Sequence, residues 1–298
     1  ELSSFQLWDA QKSPHIAILN NLEVDHLDIH DGFEDYVAAK MNIAKNQTEN
    51  DFFIFNAENT IVLKNVENLK SQLKAELQPF QDYNLAHIQE NHFLWGDEVL
   101  FETDILKIPG EHNQKNACAA MIATFDFLRE KGFENEEIFD FWREGLSKFT
   151  GLPHRLKFVR EFEGVRFYDD SIATTPGSAI AALNSFEKPK ILILGGSNKG
   201  ADLSELIEKI AKMPEQELRK VILMGAESEK LTQKLISGGF KRFINLGTET
   251  NMQEVVKTAF KNAKSGDVVI LSPAHASFDM FKSYADRGEQ FVENVNLL

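Results

Sequence analysis

Beyond about residue 156 the chain repeats one pattern, a short apolar run followed by a turn and then an amphipathic stretch. Lys190-Ile-Leu-Ile-Leu194, Lys220-Val-Ile-Leu223, Arg242-Phe-Ile-Asn245 and Asp267-Val-Val-Ile-Leu271 are too short for helices and lack a polar face. Such runs read as strands covered on both sides, the signature of a parallel sheet. Leu156 to Phe162 and Val165 to Tyr168 add two more strands. Helices are expected at about Ser204 to Lys212, Glu227 to Ser237, Met252 to Ala263 and Phe278 to Asn294. This alternation predicts a doubly wound, Rossmann-like α/β domain with a mostly parallel sheet.

The first half is less regular. Glu1 to Leu7 alternates polar and apolar residues, as a half-buried strand would. Ile16 to Leu19 and Asp51 to Phe55 read as buried strands, with a helix between them at Phe33 to Lys45 and a turn at Asn56 to Asn59. Asn65 to Leu77 has the spacing of an amphipathic helix, and His92 to Trp95 with Val99 to Phe101 that of a hairpin. A long helix is predicted to open after Pro109-Gly110 and run to about Lys131, and another to cover Phe133 to Phe149. At 298 residues the chain is long enough for two domains. The hinge-like Gly151-Leu-Pro-His-Arg155 sets the expected division, 1–151 and 152–298.

Charge narrows the partners. With 32 basic against 46 acidic residues the net charge is −14, which argues against a nucleic-acid surface or an anionic membrane. An anionic substrate would need a locally basic pocket. The single cysteine, Cys118, permits no internal disulfide and lies in an apolar run that marks it as core. Neither a signal peptide nor a span of about 20 apolar residues is visible, so a cytoplasmic protein is expected. The first residue is Glu1 rather than methionine, in what reads as mid-strand. Something upstream is therefore expected to be missing.

Polar clusters fall where such strands end. Asn21-Leu-Glu-Val-Asp-His-Leu-Asp-Ile-His30 follows the Ile16 strand, and Tyr36-Val-Ala-Ala-Lys40 lies on the next helix. Ligands collect at the carboxyl ends of strands in open α/β sheets, so His26, Asp28 and Lys40 can serve a metal-bound phosphate or belong to a solvated loop. Glu1 can bind magnesium or be an edge residue. Asn113 and Asn116 can meet a nucleotide or cap their helix. Gly195-Gly-Ser-Asn-Lys-Gly200 lacks the Gly-x-Gly-x-x-Gly dinucleotide pattern, which rules against nicotinamide binding and leaves Lys199 as a point charge suited to a carboxylate.

Taken as whole strings, these motifs resemble the Mur ligases, ATP-dependent amino-acid ligases of peptidoglycan precursor synthesis. The Asn-x-x-x-Asp-His-Leu-Asp and Ala-Lys elements, Gly-x-His-Asn-x-x-Asn-x-x-Ala-Ala after Pro109, Gly151-Leu-Pro-His-Arg155, Asp169-Asp-Ser-Ile-Ala-Thr-Thr-Pro-Gly177 and Leu271 to Phe291 carry the likeness. Glu1-Leu-Ser-Ser-Phe-Gln-Leu7 and the last string resemble the D-glutamate-adding type.

The resemblance implies the C-terminal part of a central ATPase domain followed by a Rossmann-like C-terminal domain. It implies Glu1, His26 and a carbamylated Lys40 at magnesium, with Lys40 and His26 serving catalysis. Asn113, Asn116, Arg155 and Asp170 would serve ATP, and Thr174, Lys199, Ser277, Phe278 and Tyr284 would serve D-glutamate. The second substrate would be UDP-N-acetylmuramoyl-L-alanine, and the protein a monomer. Relatives that add other amino acids or polyglutamate share some of these motifs, and a non-catalytic module derived from such a ligase is a further alternative.

Two departures stand out. Ile172 occupies a position where many D-glutamate-adding ligases carry lysine, and the Gly-x-x-x-x-Gly-Lys-Ser/Thr phosphate loop is not present in these 298 residues. The chain is therefore expected to match about the C-terminal two-thirds of the family and to be inactive alone.

Overall fold

The computed structural model describes residues 1–23, 30–197 and 200–298. It divides into two compact units, one of Glu1–Leu106 with His112–Lys148 and one of Lys107–Glu111 with Phe149–Leu298. Together they make a mixed α/β chain.

The first unit begins with a helix, not the expected strand: α1 spans Ser4–Leu7. A capping box overrides the alternation, because Ser3 Oγ accepts from Gln6 N–H at 3.3 Å and Gln6 Oε1 accepts from Ser3 N–H at 2.8 Å. Strand β1 (Ile16–Leu19), helix α2 (Phe33–Lys45) and strand β2 (Phe52–Asn56) follow as the sequence predicts. The next helix, α3, covers Thr60–Leu69 rather than 65–77. Asn59 starts it by accepting from Val62 N–H at 2.9 Å, and the residues beyond it return as strand β3 (Glu76–Phe80). The three strands form a parallel sheet in the order β1-β2-β3. Pro79 is tolerated because β3 is an edge.

A second, antiparallel sheet joins β4 (Ala86–Gln89), β5 (His92–Trp95) and β6 (Glu98–Glu102), the last two being the expected hairpin. Helices α4 (Glu111–Glu130) and α5 (Asn135–Lys148) complete the order. Cys118 is fully buried in a core with Phe93, Ile122, Ile138 and Trp142. Burial pushes its thiol up to about 12, so it is inert packing.

In the second unit β7 (Lys157–Phe162) pairs antiparallel with β8 (Val165–Asp169), and α6 (Pro176–Asn184) follows. Then come β9 (Lys190–Gly195), α7 (Ser204–Lys212), β10 (Leu218–Met224), α8 (Ser228–Ser237), β11 (Phe243–Asn245), α9 (Met252–Asn262), β12 (Val268–Leu271) and α10 (Tyr284–Asn296). The sheet order is β11-β10-β9-β12-β8-β7, parallel except at β7.

Alternate residues face opposite layers. Leu192, Leu194, Val221 and Ile270 meet α6, α7 and α8, whereas Ile191, Ile193, Ile222 and Leu271 meet α9 and α10. Neighbouring strands β9 and β12 therefore send their chains to opposite faces, and in open α/β sheets ligands bind at the carboxyl ends of such a pair. The last helix begins at Tyr284 instead of Phe278, because Ser283 caps it by accepting from Asp286 N–H at 3.1 Å. Among the described residues no helix is long and apolar enough to cross a membrane.

Candidate active site

In the second unit the strand ends are drawn together by a buried polar network. β8 finishes on two adjacent carboxyls, Asp169 and Asp170, exposed by only 1% and 6%. Asp169 Oδ2 lies 2.7 Å from His154 Nδ1, and its Oδ1 accepts from Ser171 N–H at 3.0 Å. Asp170 accepts from Leu156 N–H at 3.0 Å and from Ser272 Oγ at 2.7 Å. The two carboxyls thus grip both sides of Arg155. His154 and Leu156 have φ of +60° and +43°, a left-handed backbone costly for any residue but glycine. Arg155 itself is exposed between them.

Desolvation raises both carboxyls above the ordinary aspartate range, Asp170 to about 7. The neighbouring Asp169 also disfavours ionisation of Asp170. Both oxygens of Asp170 already accept hydrogen bonds from the protein, so its evident role is to fix the Arg155 segment and the β12 loop.

The loop after β8 continues into Thr174, half-buried, whose N–H donates to Ile172 O at 2.8 Å. Ala274 N–H donates to Ala173 O at 2.9 Å, tying this loop to the one after β12. The β9 and β12 loops are joined in turn through Ser197 and Ala276, each N–H donating to the other's carbonyl at 2.9 and 3.1 Å. Ser277 is buried at 2%, while Phe278 is 70% exposed and Tyr284 42% exposed. The Tyr284 carbonyl accepts from Ser171 Oγ at 2.7 Å, and its ring meets His154 edge-on. Arg155, Asp170, Thr174, Ser277 and Phe278 on loops, and Tyr284 at the start of α10, therefore lie at the same end of one sheet. Lys199 lies outside the described residues.

Arg287 on α10 is completely buried beneath these loops. Its guanidinium donates to Ser171 Oγ at 2.9 Å, Ser171 O at 2.8 Å and His275 O at 3.1 Å from each terminal nitrogen, with Ala276 O at 3.4 Å. Burial pulls it down to about 10, still charged at neutral pH. Neither Arg287 nor the His154–Asp169 pair was singled out from the sequence. Each lies inside a motif string, His154 in Gly151 to Arg155, Asp169 in Asp169 to Gly177 and Arg287 in Leu271 to Phe291, but nothing local marks the contacts they make.

In the first unit Lys40 Nζ donates to Leu2 O at 3.2 Å, which sets the middle of α2 beside the segment that carries Glu1. Glu1 is exposed and Lys40 half-buried. His26 lies outside the described residues. His30, unremarked by sequence reasoning, is 4% exposed, 2.9 Å from Ser4 Oγ and 2.8 Å from Asp35 Oδ2, and pressed between Phe5, Trp8 and Tyr36. It joins α1 to α2 and so holds the Glu1 and Lys40 segments in register.

Among the described residues no cluster of three or more His, Cys, Asp or Glu forms a metal site. The oxygens of Glu1 and Leu2 are hard donors suited to magnesium, but a lysine ammonium repels a cation; the set fits if Lys40 is carbamylated and contributes oxygen instead.

Asn116 Oδ1 accepts from Asn20 Nδ2 at 3.2 Å, Lys115 pairs with Glu58 at 2.6 Å, and Asn56 donates to Asn21 Oδ1 at 2.8 Å. Asn113, half-buried, lies in the first turn of α4 and Asn116 in the second. The start of α4 thus gathers amides at the carboxyl ends of β1 and β2.

The family described as Mur ligase middle domain matches residues 1–124, and Mur ligase, glutamate ligase domain matches 154–275. The UDP-N-acetylmuramoylalanine--D-glutamate ligase of Acetivibrio thermocellus is 37% identical over 310 aligned residues, covering 99% of this chain. The chain belongs to the Mur ligase family. It spans about 62% of the length of the curated relatives it matches.

Two solved Mur-fold structures agree on architecture. Thermotoga maritima MurF ligase in complex with ADP superposes with a TM-score of 0.62 at 20% identity, over 95% of this chain and 61% of that one. Mycobacterium tuberculosis folylpolyglutamate synthase complexed with ADP gives 0.65 at 14% identity, over 94% and 63%. At these identities the likeness is one of fold.

Proposed function

We propose that this Mur ligase chain serves the ATP-dependent joining of D-glutamate to UDP-N-acetylmuramoyl-L-alanine in cytoplasmic peptidoglycan precursor synthesis, as part of a monomeric enzyme. The observation that carries the reading is its similarity, along essentially all 298 residues, to relatives named for that reaction. A carboxylate is a poor electrophile, and ATP offsets this. The alanyl carboxylate oxygen attacks the γ-phosphorus, ADP leaves, and the resulting acyl phosphate is attacked at carbon by the D-glutamate amine. Phosphate then departs with the C–O bonding pair, the amine loses a proton and an amide remains.

Arg155 suits the phosphates, since its guanidinium keeps its charge and presents a planar fork of donors. Asp170 serves the nucleotide through the segment it ties down. Asn113 and Asn116 offer amides to the base or ribose. Thr174, Lys199, Ser277 and Phe278 form the amino-acid subsite, hydroxyls and a cation receiving carboxylates, with Tyr284 as its aromatic edge. Glu1, His26 and carbamylated Lys40 would hold magnesium, which when bound neutralises phosphate charge. The phosphate loop is missing from these residues, so turnover is proposed to need a phosphate-gripping element that they do not supply.

Phosphate release from magnesium, ATP and the muramoyl-alanine nucleotide, with and without D-glutamate, tests this directly. No release from the 298-residue chain, with D-glutamate-dependent release once the relatives' remaining length is restored, is the expected pair of results. D-glutamate-dependent release by the chain alone would overturn the need for a further element. Preference for another amino acid in competition would overturn the substrate.

A further inference from the structure

A guanidinium buried without a carboxylate in hydrogen-bond contact is an expensive feature. Among the described residues the hydrogen bonds of Arg287 go to neutral oxygens, of Ser171, His275 and Ala276, while Asp279 and Asp169 act on its charge without accepting from it. Burying a charge costs free energy, which these hydrogen bonds offset in part. What the fork does achieve is geometric. Ser171 belongs to the loop after β8, His275 and Ala276 to the loop after β12, and only a planar group with several donors can hold both at once.

The third loop is shaped around the same group. Gly196, after β9, has φ +139°, and a Cβ there would lie 2.1 Å from Ala276 O and 3.2 Å from Arg287 Nη1. Arg287 thus joins the loops after β8 and β12 and lies against the loop after β9. They carry Thr174, Ser277 and Phe278, the described residues proposed above for the amino-acid subsite.

We infer that Arg287 is a positioning residue for the dicarboxylate amino-acid substrate, which it serves through the loops of Ser171, Gly196 and Ala276 without touching the ligand. This rests on the amino-acid subsite proposed above.

The test is D-glutamate binding by the 298-residue protein, followed by ligand-detected NMR well below the melting temperature, with magnesium-ATP binding measured alongside. Arg287→Met keeps length and loses charge and donors; Arg287→Lys keeps charge and loses the fork; Ser171→Ala removes one acceptor and guards against a variant that does not fold. At least tenfold weaker D-glutamate binding in Arg287→Met is expected, with partial rescue in Arg287→Lys, about threefold weakening in Ser171→Ala and unchanged nucleotide affinity. Variants that melt earlier yet bind D-glutamate as the parent does would reduce Arg287 to a structural residue and overturn the inference alone. Absence of saturable binding by the parent would overturn the subsite, and the inference with it.

Discussion

His154 Nδ1 and Asp169 Oδ2 lie 2.7 Å apart, and their bond fills the space into which a side chain at position 288 would project. A Cβ at Gly288 would sit 2.2 Å from the imidazole nitrogen and 2.8 Å from the carboxylate oxygen. Helix α10 can approach β8 only because that position is bare.

Gly288→Ala should therefore destabilise the protein by about 1–3 kcal/mol, the usual cost of overpacking. Inside an ordinary exposed helix the same change would gain about 1 kcal/mol. Urea unfolding gives the sign, and a more stable variant would show that the pair and the helix are less tightly apposed.

Stability should fall as pH rises from about 4 to about 7. Burial raises Asp170 from 3.8 to about 7, so across this window the folded protein keeps a proton that the unfolded chain has released. The slope from one such group is at most about 1.4 kcal/mol per pH unit and vanishes above the folded value. Asp169 is raised by the same cause and adds to it. Asp170→Asn, which can still accept from Leu156 N–H, should flatten the dependence in part; an unaltered pH profile of unfolding would show that Asp170 ionises normally.

Lys40→Ala should abolish D-glutamate-dependent phosphate release in an active preparation while changing stability by less than about 1 kcal/mol, because the side chain is half-exposed, donating to Leu2 O and lying 5.9 Å from the Tyr36 ring centroid. Manganese binding followed by electron paramagnetic resonance should weaken in parallel. Full turnover in the variant would remove Lys40 from the metal site.

Ile172→Lys should lower the KM for D-glutamate severalfold without altering that for ATP. The position adjoins Ser171 and precedes Thr174, so a cation there would face the same loops. An unchanged D-glutamate KM would mean that the carboxylates are received elsewhere.

Much of this architecture can be read from residues alone, and the exceptions share a cause. α2, α7 and the strands of the second unit match their apolar periodicity because packing, the dominant force there, is what periodicity records. α1 replaces an expected strand, and α3 and α10 start away from their expected positions, because single caps at Ser3, Asn59 and Ser283 decide where a helix starts. α6 was missed although Thr175 at its cap and Pro176 at its first position are a recognisable opening. At the site, motif strings pointed to Asp170 and Ser277, but partners distant in sequence left no local mark. His154 finds Asp169 15 positions away, and Arg287 finds Ser171 116 positions away.

That last separation bears on how the protein comes to be made. Synthesis proceeds from the amino end, so Ser171 leaves the ribosome long before Arg287 exists to receive it. Contacts so far apart in sequence form late, after the loop-closure cost has been met. The strands of the second unit can pair beforehand, but their loops stay unanchored until α10 arrives. Ligand-binding competence should consequently appear as the final event of folding, trailing the acquisition of secondary structure.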